Sequence, residues 1–112
     1  MAKPLDFNTI KKQYLTLTLA DENKTTLMIG TPNKKIMEEV ILLQDSLESM
    51  EEEADVEKMD CLYNLCARLM SRNKGGIEIT KEKLENLFDF EDIIIFFHAY
   101  MSFISEVMKE KN

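Results

Sequence analysis

Few residues in this chain could do chemistry, and their spacing decides how each is read. His98 is the sole histidine, set in the apolar run Ile93-Ile94-Ile95-Phe96-Phe97-His98-Ala99-Tyr100. An imidazole acts as a base or ligand only with a partner to orient it, and the sequence shows none. His98 therefore reads as a packed or surface residue. Cys61 and Cys66 lie on one helical stretch. Five residues turn a helix by about 500°, which points the two thiols about 140° apart. A disulfide there would strain the helix, and no further Cys or His cluster completes a metal site. Both read as small buried or half-buried apolar residues in a reducing compartment.

The acidic pairs, Glu57 with Asp60 and Glu91 with Asp92, have the positions of helix caps and solvated faces. General acid–base work would require one of them buried with a shifted pKa. Gly75-Gly76 lacks the spacing and the Lys-Ser/Thr of a phosphate loop and reads as a turn. These residues define no catalytic, cofactor or metal site. The expected function is non-enzymatic.

The elements that would position a binding face follow from periodicity. Tyr14-Leu15-Thr16-Leu17-Thr18-Leu19 alternates, with the leucines on one face, and Leu27 and Ile29 repeat the pattern before Gly30. Two such runs around a polar loop predict an antiparallel hairpin over about 13–30. An isolated hairpin is marginal in water, so its leucine face must rest on helices. Thr31 as N-cap and Pro32 at the first helical position open a helix over about 32–52, with Ile36, Val40, Leu43, Leu47 and Met50 in one stripe. Met37, Ile41 and Leu42 widen that stripe, and Glu51-Glu52-Glu53 marks a solvated connection.

Asp55 caps a second helix over about 56–73, closed by Gly75-Gly76 as a left-handed cap. Ile77-Glu78-Ile79 is extended and is a candidate third strand beside the hairpin. Thr80 caps a third helix over about 81–88, and Asp89 restarts the chain into a fourth over about 90–109, with a polar, frayed end. Asp89 and Asp92 form a weaker relative of the capping box, with Phe88 and Ile93 placed as a hydrophobic staple. The expected fold is α+β and mainly helical: one domain spanning 1–112, an N-terminal β-hairpin packed on a three- to four-helix bundle.

The fourth helix is apolar on two sides. Ile93, Phe97, Tyr100, Ile104 and Val107 form a stripe expected in the core. Ile94, Met101 and Met108 form a second, with Phe96 and Phe103 beside it, and these five residues are the candidate protein-interaction face. Self-association and a partner helix are both open for it. Fourteen basic residues against twenty-one acidic ones give a net charge of -7, a field that repels phosphate backbones and anionic membranes. The longest near-continuous apolar run, about a dozen residues, is shorter than a bilayer crossing, and the N-terminus has no signal core. The expectation is a cytoplasmic protein that binds neither nucleic acid nor membrane.

One resemblance covers most of the chain. Leu5-Asp6-Phe7-Asn8-Thr9, a Leu/Thr hairpin, Gly30-Thr31-Pro32 and an acidic two-helix middle are followed by Leu69-Met70-Ser71-Arg72-Asn73-Lys74-Gly75-Gly76 and Phe88-Asp89-Phe90-Glu91-Asp92. This layout resembles the small tail assembly chaperones of long-tailed phages and prophages of Gram-positive bacteria. The resemblance implies a protein in the host cytoplasm that coats the tape-measure protein, helps recruit tail-tube subunits and leaves as the tube polymerises. The alternatives are a structural virion protein, either a head–tail connector or a tail terminator, and a small helical protein-binding regulator.

Overall fold

Alternating Leu and Thr on a pleated strand put every second side chain on one face, and that face becomes the lid of the core. In the computed structural model, which describes residues 5–7, 11–48 and 56–110, β1 (Leu15–Thr18) and β2 (Thr26–Ile29) pair antiparallel. Leu15 stands opposite Ile29 and Leu17 opposite Leu27. Leu19, Leu27 and Ile29 are buried, while Thr16, Thr18, Thr26 and Met28 face out. The connecting turn is held by Asp21, whose carboxylate accepts from the Thr25 N–H at 2.8 Å and from the Thr25 hydroxyl at 2.6 Å. Those two bonds hold the Asp21 carboxyl below its ordinary range.

Four helices follow: α1 (Lys34–Glu48), α2 (Val56–Ser71), α3 (Lys81–Leu87) and α4 (Phe90–Glu110). The fold is α+β and mainly helical, with the hairpin at its N-terminal end. α2 is the hub, touching α1, α3, α4 and β2. Its Leu62, Cys66, Leu69 and Met70 are fully buried, at the three- and four-residue spacings of one helix face. Tyr63 donates to the Phe88 carbonyl at 2.9 Å, tying α2 to the α3–α4 corner. From α4, Ile93, Phe97 and Tyr100 are fully buried, Ile104 nearly so, and Val107 packs half-buried at the margin. Each such apolar side chain contributes about 1.5–3 kcal/mol when fully covered.

Helix ends depart from the sequence expectation in instructive ways. Asn33, not Thr31, caps α1: its Oδ1 accepts from the Ile36 N–H at 2.9 Å. Asn and Thr are both good caps, and Asn33 lies at the distance from Ile36 that the cap requires. α2 stops at Ser71, ahead of Gly75-Gly76, because Asn73 terminates it instead. The Asn73 amide donates to the Met70 carbonyl at 2.8 Å and to the Ile77 carbonyl at 2.6 Å, and its Oδ1 accepts from the Ile77 N–H at 2.8 Å. Gly76 takes the left-handed turn position beyond, at φ 71°.

Ile77-Glu78-Ile79 is likewise no third strand. The hairpin is extended one step earlier, where Ile29 bridges Asn73, Gly30 donates to the Arg72 carbonyl at 3.0 Å and Lys74 donates to the Met28 carbonyl at 2.9 Å. Ile79 is held instead by Ser71, whose hydroxyl accepts from the Ile79 N–H at 2.9 Å. The expected Asp55 cap, the Glu51-Glu52-Glu53 connection and Met50 lie outside the described residues. At the other end α4 stays helical to Glu110, past the fraying expected from Lys109.

Two caps match the sequence reading. The Thr80 hydroxyl accepts from the Lys83 N–H at 3.1 Å. Asp89 and Asp92 form a reciprocal box: Asp89 Oδ1 accepts from the Asp92 N–H at 2.9 Å, and Asp92 Oδ2 from the Asp89 N–H at 3.2 Å. Asp89→Ala is expected to cost about 1 kcal/mol, read as a lower urea midpoint at unchanged slope. Asp89→Asn, which can still accept, should recover most of the loss.

Candidate functional site

The widened stripe of α1 has more apolar surface than α2 can cover. Val40 and Leu43 are buried against the core, but Ile41 is 46% exposed and Met37 half-buried. The end of α4 has the same surplus: Ile104 is buried, Val107 is half-buried and Met108 is 66% exposed. These two surpluses face one groove of about 770 Å³. Met37 and Ile41, one turn apart, form one wall, and Ile104, Val107 and Met108 form the other. Phe7, itself 73% exposed, lies at the mouth.

The α4 wall is fixed from behind. The Tyr100 hydroxyl donates to the Gly30 carbonyl at 3.2 Å, and Arg72 donates to the Thr31 carbonyl at 3.2 Å. These bonds hold the chain entering α1 against α4 and α2. The polar rim comes from Lys11, Lys12, Gln13 and the α1 entry through Lys34. Lys34 pairs with Glu38 at 3.6 Å, but both side chains are largely exposed, so the pair is weak.

A smaller groove of about 310 Å³ runs between α1 and α2, lined in part by Leu42, Leu43, Cys61 and Leu65. Arg68 and Glu39 line it too, joined at 2.9 Å, and this hydrogen bond holds the Glu39 carboxyl below its ordinary range. An ion pair between the two helices leaves less open apolar surface there than in the α1–α4 groove.

The five residues expected to form one interaction face are not gathered on one surface. Phe96 and Phe103 are core residues, 8% and 9% exposed, and each ring lies 6.0 Å from that of Tyr100. They lie about one turn either side of the fully buried Tyr100, on the side of α4 that packs into the core. Ile94 and Met101 are half-buried at the core margin. Met108 alone of the five is both exposed and in the groove. Sequence periodicity missed Met37 and Ile41 as partners of Met108; their place in a stripe wider than one neighbour needs was the available signal.

The reactive-type residues are dispersed. His98 is exposed on α4. Cys66 is buried as expected, but Cys61 is exposed: five residues of helix turn its side chain away from the face that Cys66 packs into the core. Burial pushes the Cys66 thiol up to about 12, far from a reactive thiolate. Asp60 pairs with Lys81, and Asp92 serves the α4 cap. Among the described residues no group of three His, Cys, Asp or Glu could hold a metal, and no helix is long and apolar enough to cross a membrane. No family model, curated protein or solved structure matches the chain.

Proposed function

We propose that this protein is a non-enzymatic binding module of the tail assembly chaperone type. In this reading it works in the host cytoplasm, binds the helical tape-measure protein and helps recruit tail-tube subunits during tail morphogenesis. The observation that supports binding is the open groove between α1 and α4, walled by Met37, Ile41, Val107 and Met108. Two helical walls with apolar side chains fit a third, amphipathic helix. A tape-measure protein is a long helix that must be kept from aggregating until the tube encloses it, and a covered apolar face does that. The choice of this partner rests on the resemblance in layout and short phrases.

Co-expression with a candidate tape-measure protein tests the reading. The expected result is a soluble tape-measure protein that co-purifies with this chain, which is itself absent from purified particles. Stoichiometric recovery of the chain in mature virions overturns the chaperone and supports a structural virion protein.

A further inference from the structure

We infer that the α1–α4 groove selects an amphipathic helix whose apolar face is flanked by carboxylates. The occupant's conformation follows from the walls. Helical walls keep their own N–H and C=O groups paired, so they offer no edge on which to add a strand. An occupant must satisfy its backbone internally, and a helix does so. Its apolar ridge would lie between Met37 and Ile41 on one side and Ile104, Val107 and Met108 on the other. Two of these five are methionines, whose unbranched side chains adjust to a ridge of imperfect fit.

The occupant's charge follows from the rim. Acidic residues outnumber basic ones twenty-one to fourteen along the chain, yet among the described residues the groove is lined by Lys11, Lys12 and Lys34 and by no carboxylate, Glu38 reaching only Lys34 in a weak, exposed pair. A basic rim in an acidic chain is a local reversal of field. Lysine stems lie along apolar surface and carry their ammonium groups to its edge, where they meet acidic residues flanking an apolar face. A basic helix would meet those ammonium groups and, beyond the rim, lose that match; like charges brought together at an interface are a specificity device. The inference rests on the groove as a protein-binding surface and not on which protein fills it.

The test uses the full chain, isotope-labelled, with two designed peptides of about 18 residues, five helical turns. Both carry the same Leu/Met face; one is flanked by Glu and the other by Lys. The Glu-flanked peptide is expected to bind about tenfold more tightly or better, with amide shifts confined to the first half of α1 and the last turns of α4. Raising salt from about 0.05 M to about 0.5 M should narrow the difference, as screening requires. The triple variant Lys11→Glu, Lys12→Glu, Lys34→Glu alters only exposed side chains and should reverse the preference.

Equal affinities, shifts elsewhere on the fold, or a preference unchanged in the triple variant would overturn the inference. So would a concentration-dependent dimer that closes the groove. If the Glu-flanked peptide binds here while no tape-measure protein co-purifies, the chaperone reading falls and the inference stands. The opposite pattern removes the inference and leaves the chaperone reading intact.

Discussion

Tyr100→Ala is expected to remove about 3–5 kcal/mol of stability, a large part of the roughly 5–15 kcal/mol available to a single domain. Tyr100 is 0% exposed and lies beside Phe96 and Phe103, so truncation leaves a void at the centre of α4. The change also removes the donor to the Gly30 carbonyl, the bond that joins α4 to the end of β2. Tyr100→Phe separates the two effects. It keeps the ring, loses the 3.2 Å hydrogen bond and should cost about 1 kcal/mol. Urea unfolding measures both. A loss below about 1 kcal/mol for Tyr100→Ala would mean that α4 is not seated as described.

The same residue makes stability depend on alkaline pH. Burial raises the Tyr100 hydroxyl from 10.0 to about 12, against a smaller opposing pull from Arg72. The unfolded chain releases this proton near the ordinary value, while the folded chain holds it. Stability from this group is therefore complete below about pH 10 and lost as pH rises through 12. Cys66, raised from 9.0 to about 12 by burial, adds a loss of the same sign beginning one step lower. Tyr100→Phe should remove the Tyr100 portion of the alkaline loss and leave the portions from Cys66 and from Tyr63, whose hydroxyl burial also pushes up.

The parts of the fold readable from sequence are those where local period and tertiary cover agree. Leu15, Leu17, Leu27 and Ile29 alternate strictly, and a hairpin lying on helices buries that face alone. Asp89 and Asp92 announce α4 because reciprocal capping needs only residues three apart.

Long-range cover is another matter. Phe96, Phe103 and Met108 lie on one helix, and period alone marks all three as apolar surface. Which are covered depends on the packing of α4 into the fold, which buries both phenylalanines and leaves Met108 open. The groove has two walls from segments more than sixty residues apart (Met37 and Ile41, then Ile104 onward), so no local pattern contains it. Two of its lysines, Lys11 and Lys12, come from a third place, the lead-in to β1. Asn73 escaped notice because Gly75-Gly76 is the stronger stop signal, whereas a side-chain amide that bonds three backbone groups is visible only once the chain has turned.

The second large effect concerns the groove. Ile41→Asp with Met108→Asp puts two charges on its apolar walls, beside lysines that those charges would also neutralise. Both parent side chains are exposed, at 46% and 66%, so the fold should change little. The cost near the end of α4, where a carboxylate opposes the helix dipole, is under about 1 kcal/mol. Binding should fall by more than about tenfold, since central apolar contacts dominate interface energy.

Leu42→Asp with Ile95→Asp is the matched control, because these residues are 69% and 60% exposed and line no part of this groove. The decisive measurement is the soluble fraction of the proposed partner, a tape-measure protein, co-expressed with the wild type and with each double variant. The groove variant is expected to leave it insoluble while remaining folded itself, and the control is expected to match the wild type. Solubility retained with the groove variant, or lost only with the control, would contradict the assignment of the binding face to the α1–α4 groove.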